Sequence, residues 1–200
     1  MSETGSVKFS YERGLATPVC CDGIAELNAC RRKLLQLRLL GVDAAGIGFG
    51  NLSVRDMAGG FFVTGSNTGA LSELGAEHLA RVTAYDFERN WLRSEGTATA
   101  SSESLTHAAI YEADANVSAV IHAHSATIWK RLRDVAPTSL EVDYGTPAMA
   151  REVARLFAST DVGQRQLFVM AGHENGIVSF GLNLEDAFAV LVRALHDPSS

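Results

Sequence analysis

The sequence predicts an α/β protein of α+β character: a central, largely antiparallel sheet covered by helices on both faces. Three observations predict it. Short apolar and β-branched runs separated by turn residues fill the first half, so neighbouring strands pair as hairpins. Apolar residues recur at helical spacing near both ends of the chain. In the second half helical stretches separate the strands, and a sheet flanked by helices lets each element bury its apolar side. The chain has 200 residues, 46% hydrophobic and 20% charged, which suits one domain over residues 1–200 with a full core.

Residues 1–9 read as a flexible arm. From Ile24 to Leu40, Leu27, Cys30, Leu34 and Leu37 form one helical stripe, and Gly41 is expected to stop it. Gly46-Ile47-Gly48-Phe49-Gly50-Asn51 leads into a strand, Leu52–Arg55, which turns through Asp56–Gly60 into a second strand at Phe61–Thr64. Thr64–Gly69 is a loop of small hydrogen-bonding residues. Arg81–Tyr85 and Trp91–Arg93 form another hairpin, turning at Asp86–Asn90. A helix opens at Ser101-Ser102-Glu103 and runs to about Ala113. The apolar run Val117–Ile121 is a buried strand, and a helix near Ala126–Arg133 follows. Thr146-Pro147 supplies an N-cap and an N1 proline for a helix that buries Met149, Val153, Leu156 and Phe157. Strands at Gln166–Met170 and Gly176–Phe180 precede a last helix, capped by Asn183, with the stripe Leu184, Ala187, Phe188, Leu191 and Leu195.

The formal charge is −6 without a Lys/Arg cluster, which makes nucleic acid and acidic membranes poor partners. An anionic ligand must be held by local donors. The three cysteines, Cys20, Cys21 and Cys30, are odd in number and include an adjacent pair, which with no signal peptide points to a reducing cytoplasm. No apolar run approaches the ~20 residues needed to span a bilayer.

His122 and His124 end the buried strand. Side chains at i and i+2 share a face of a strand, so two imidazoles sit side by side at a sheet end, as a transition-metal site needs. Two hydrogen-bonded histidines at a strand terminus would give the same pattern. A third ligand comes from the remaining histidines. His196 lies in the tail and His78 in a polar stretch. His107 is expected to pair with Glu103 one helical turn before it. His173 lies in a tight turn, Gly172–Gly176, between two strands, and is taken as the third ligand. Glu103 is a natural general acid/base beside a bound cation, or a helix cap. Gly50-Asn51, Thr64-Gly65-Ser66 and Ser101-Ser102 are rich in small donors, and the last pair stands at a helix N-terminus, where backbone N–H groups bind phosphate.

These segments resemble a known family. Gly50–Arg55 is similar to the G-N-[ILV]-S-x-R signature of class II aldolases and adducin heads. Phe62–Ser66 is similar in place to their [IV]-T-[PA]-[ST]-G segment, without its proline. Ser101–His107 resembles S-S-E-x-x-x-H, and Ala119–Ser125 resembles A-V-[IV]-H-x-H-[SA]. The resemblance spans about Ile24 to Leu195. It implies a three-layer α/β/α sandwich, usually a homotetramer, and a metal-dependent lyase acting on a small phosphorylated ketose. It implies Zn2+, or another divalent transition metal, on His122, His124 and His173. Glu103 is implied as the proton shuttle, and Asn51, Thr64, Gly65, Ser101 and Ser102 as the phosphate site. The related reactions of the family are 4-epimerisation, dehydration and decarboxylation. A non-catalytic, adducin-like assembly module is the reading from another class, and the retained His122, His124 and Glu103 count against it.

Two departures matter. The family's third histidine immediately precedes a glycine, whereas Asn175 precedes Gly176 here, so a gap-free alignment puts Asn175 at the ligand position and His173 two residues earlier. The segment between Arg133 and Gly145 is short and lacks the family's tyrosine acid. Tyr144 reads as packing or pocket lining.

Overall fold

The computed structural model describes residues 9–135 and 137–196. In chain order the strands and helices are β1 (Ser10–Arg13), α1 (Ile24–Gln36), β2 (Gly41–Val42), β3 (Gly48–Phe49), β4 (Asn51–Arg55), β5 (Phe61–Thr64), β6 (Leu79–Asp86), β7 (Trp91–Glu95), α2 (Ser104–Ala113), β8 (Ala119–His124), α3 (Ala126–Leu132), α4 (Pro147–Ser159), α5 (Val162–Arg165), β9 (Leu167–Val169), β10 (Gly176–Gly181) and α6 (Leu184–His196). Eight strands form one sheet in the order β1-β7-β6-β5-β4-β8-β10-β9, and β2 pairs with β3 separately. Every pairing in the large sheet is antiparallel except β1 with β7.

The sheet has helices on both faces, the three-layer arrangement expected. Strand periodicity assigns the faces. On β8, Val120 packs in one apolar cluster with Leu105 and Ile110 of α2 and Met149 and Val153 of α4. Ala119, Ile121 and Ala123 pack in the other, with Leu27 and Leu34 of α1, Ile128 of α3 and Leu191 of α6. Each fully buried leucine of this kind stabilises the fold by roughly 2 kcal/mol.

Side-chain caps fix the starts of α3, α4 and α6, two of them, Thr146 and Asn183, as the sequence places them. Thr146 Oγ1 accepts the Met149 N–H at 3.3 Å, and Pro147 opens α4. Asn183 Oδ1 accepts the Asp186 N–H at 2.8 Å. Ser125 Oγ accepts the Ile128 N–H at 3.2 Å.

Helix α1 ends earlier than Leu40. The Leu39 N–H bonds the Leu34 carbonyl and the Arg38 N–H bonds the Leu35 carbonyl, with Arg38 left-handed at φ 57°. This Schellman closure is normally made by glycine. Here Arg38 makes it, and Leu39 and Leu40 turn into the core at 2% exposure each. The expected N-terminal arm lies outside the described residues up to residue 8. Phe9 is buried in the α2/α4 cluster, and β1 pairs along β7. The polar, mostly exposed Ser10–Arg13 carries no alternating pattern that would reveal a strand.

Candidate metal centre and donor pocket

His122 and His124 lie on the same face of β8 as Val120, the face covered by α2 and α4. Antiparallel register then places their neighbours. Asn51 of β4 stands opposite His122 on one side, and Val178 of β10 on the other. Gly176, the first residue of β10, stands opposite His124. The turn that feeds β10 therefore arrives beside the two imidazoles, and it carries His173.

The three rings converge. Their centroids are 5.1 Å (His122–His124), 5.3 Å (His122–His173) and 4.8 Å (His124–His173) apart. One ring nitrogen from each can be chosen so that all three lie within 4.8 Å of one another. The His124 and His173 Nε2 atoms are 3.0 Å apart. Gly176 makes this possible by close approach. A Cβ there would stand 2.4 Å from His173 Cδ2, so the ring rests on the bare backbone of the glycine. Asn175 is the left-handed residue of the turn, φ 66°, and its carbonyl accepts the Ser125 N–H. It does not line the pocket. Of the two positions open in the sequence, His173 is the one that meets the pair.

The donor set suits a divalent transition metal. The His122 Nδ1 lies 3.2 Å from the Ile177 carbonyl, which can only accept, so Nδ1 carries the proton and Nε2 keeps its lone pair. Burial, reinforced by repulsion from His124, His173 and His107, holds the His122 imidazole well below its ordinary pKa, against the Ile177 hydrogen bond. Burial takes His124 down to about 4, with Asp43 opposing. Both rings are thus neutral and able to ligate near pH 7. Phe49 stacks on His124 at 4.9 Å, and Tyr144 lies 4.7 Å from His173, so aromatic rings hold two of the imidazoles in place.

The pocket before these histidines encloses about 50 Å³. Of the expected site residues, Asn51, Gly65, Ser101, Ser102 and Glu103 line it together with the three histidines. Glu103 is 2% exposed. It stands at the N-cap position of α2, where its Oε2 accepts the Thr106 hydroxyl at 2.9 Å and its side chain caps no backbone N–H. The expected Glu103–His107 side-chain pair is also absent. His107 Nδ1 bonds Ser53 Oγ at 2.7 Å, and its Nε2 is buried without a hydrogen-bond partner. Ser53 draws His107 because it faces α2 from β4 and also meets the Tyr111 hydroxyl at 2.8 Å. Burial takes His107 down to about 3, so this ring is neutral too.

Thr64 falls outside the pocket. It is wholly buried, and its hydroxyl accepts the Leu52 N–H across the β4–β5 pair. Asn51 Oδ1, by contrast, is buried without a partner at the pocket wall. Several lining residues were not singled out from the sequence. Gly48 and Phe49 belong to the glycine-rich run before β4, and Asn67, Thr68 and Gly69 to the polar loop Thr64–Gly69. Tyr144, 4% exposed, lines the pocket as expected.

The profile of the Class II Aldolase and Adducin N-terminal domain matches residues 35–195. The chain belongs to this family. No curated protein matches it. Among solved structures it is similar to an L-fuculose 1-phosphate aldolase at 23% identity, covering 90% of each chain with a TM-score of 0.63. It is similar to YgbL from Escherichia coli, described as a candidate aldolase/epimerase/decarboxylase, at 21% identity, covering 86% of this chain and 84% of that one, TM-score 0.62. It is also similar to a sugar-phosphate aldolase from Thermotoga maritima at 14% identity, covering 90% and 98%, TM-score 0.56. At these identities the likeness establishes the class II aldolase fold. No helix among the described residues is long and apolar enough to cross a membrane.

Proposed function

We propose that this class II aldolase-family chain is a metal-dependent lyase that cleaves a carbon–carbon bond in a small phosphorylated ketose, as a single-domain, cytoplasmic homotetramer. The observation that carries the reading is the meeting of three imidazoles, a buried carboxylate and a loop of small donors in one pocket. An adducin-like scaffold has no use for that combination, and the neighbours described as aldolases share the fold.

His122, His124 and His173 are the ligands of a divalent metal, zinc in the simplest case. When bound, such an ion withdraws electrons from substrate oxygens and so offsets the negative charge that develops as the bond breaks. Glu103 moves the proton. Its carboxylate lines the pocket, and the Thr106 hydroxyl holds it through Oε2. Asn51, whose side-chain oxygen has no protein partner, is placed to accept a hydroxyl of the sugar. Gly65, Ser101 and Ser102 bind the phosphate with backbone and hydroxyl donors. Thr64, whose hydroxyl accepts the Leu52 N–H, acts through the strand pairing it secures.

The test is turnover of a panel of ketose phosphates by the zinc-loaded protein, with Glu103→Gln as the control. Release of an aldehyde and a triose phosphate, lost in the variant, supports the reading. Epimerised or decarboxylated product would move the protein to another reaction of the family, and cleavage undiminished in Glu103→Gln would remove the proton shuttle.

A further inference from the structure

Arg31 is a cation buried in the wrong place for an ordinary helix residue. It lies in α1 between the exposed Arg32 and the buried stripe, and it has no exposed surface. Among the described residues no carboxylate pairs with it. Its partners are backbone carbonyls of one loop. Nε donates to Leu71 O at 2.8 Å, and Nη2 donates to Thr68 O and to Gly69 O, the latter at 3.2 Å. Nη1 is buried with no hydrogen-bond partner. Burial lowers the pKa to about 10, which still leaves the group charged at neutral pH.

A buried charge without a counter-ion is costly, and carbonyl dipoles offset only part of that cost. The loop shows where the rest of the compensation can come from. Thr68 and Gly69 accept from Arg31 and also line the donor pocket, so one layer of backbone separates the guanidinium from the pocket. In a planar trans peptide the C=O and N–H point in opposite directions. Drawing the carbonyls of residues 68 and 69 onto Arg31 therefore turns the N–H groups of Gly69 and Ala70 away from it. Among the described residues no backbone acceptor takes the N–H of Gly69 or Ala70. Oriented N–H groups backed by a fixed positive charge form an anion-binding surface.

We infer that Arg31 is a positioning residue for the phosphate of the substrate, holding the Thr68–Gly69 backbone with its N–H groups presented for the anion and supplying a positive charge from behind the loop. This deepens the sugar-phosphate reading and rests on it. Arg31 does not line the pocket, so its effect is transmitted through the loop.

The test is calorimetric titration of the zinc-loaded protein with inorganic phosphate, alongside zinc affinity measured separately. Wild-type protein is expected to bind phosphate. Arg31→Gln is expected to bind it about tenfold more weakly, and Arg31→Lys, which keeps the charge but not the planar fork, about threefold more weakly, with zinc affinity unchanged in both. Phosphate affinity equal to wild type in a folded Arg31→Gln overturns the inference and leaves the sugar-phosphate reading standing. So does a parallel fall in zinc affinity, because it marks general damage. Should Arg31→Gln fail to fold, Arg31→Lys decides alone, and wild-type affinity in it overturns the inference. Wild-type protein that takes no phosphate overturns the sugar-phosphate reading and this inference together.

Discussion

Two cavities flank the same pair of strands, and they differ in the quantity that matters. The larger, about 640 Å³, lies between α1 and α6 at the Val54 and Ala119 ends of β4 and β8, walled by Phe62, Leu184 and Phe188. The smaller, about 50 Å³, lies at the opposite ends of the strands, on the other face, where Asn51 and His122 stand side by side. Volume favours the first. Chemistry favours the second, because there the strand register, a glycine-flanked turn and a helix start bring three imidazoles and a buried carboxylate together. In the large cavity the two buried cysteines, Cys21 and Cys30, are held as thiols by burial, Cys30 pushed up to about 12 with its Sγ directed at the Leu184 carbonyl. Size measures how loosely helices cover a sheet, whereas convergence of polar groups costs stability and marks function.

The comparison can be broken or sharpened by substitutions in either cavity. The largest effect is expected from His122→Ala, which removes the central ligand. Metal measured in protein purified without added zinc should fall from near-stoichiometric to background, an affinity loss of more than about a hundredfold. Wild-type metal content in that variant would break the contrast outright. Next is Glu103→Gln, expected to lower kcat by about 10²–10⁴-fold while metal content and melting temperature hold, since the amide keeps the shape but cannot take a proton. Third is Gly176→Ala. Its Cβ would press on the His173 ring, so zinc affinity should fall and stability drop by about 1–3 kcal/mol, read from denaturant unfolding with and without chelator. The smallest is Phe188→Ala in the large cavity. It should cost roughly 1–2 kcal/mol of stability, because the ring is only partly buried and carries the Lys33 ammonium 5.4 Å from its centre, and it should leave turnover unchanged. A loss of turnover there would show that the two cavities communicate.

The contrast also explains what could be read from the residues alone. The His122–His124 pair was legible because strand periodicity is a local rule, and so were the caps at Thr146 and Asn183. The three-layer fold followed from alternation between strand and helix signals. The third histidine was harder. His173 and Asn175 share a face in an ideal strand, but the segment is a turn, and a left-handed Asn175 removes that residue from the competition. The Glu103–His107 pair failed because helical spacing says nothing about Ser53, which approaches His107 from a strand 54 residues earlier in the chain. Arg31 was invisible. Within Arg31-Arg32-Lys33 it looks like a solvated basic face, and only the loop at residues 68–71 distinguishes it from its neighbours.

The pairing of β8 with β10 has one more consequence. His124 and His173 are 49 residues apart in sequence, and they meet only after Gly176 has found its place opposite His124. A slip of one residue along that ladder would point the histidines of β8 at α1, α3 and α6. An unfolded chain can offer an ion no more than the adjacent two imidazoles. Capture of the proposed ion by all three would therefore close a long loop and report correct strand alignment, so that zinc uptake during refolding would serve as a clock for a late, non-local step in assembly.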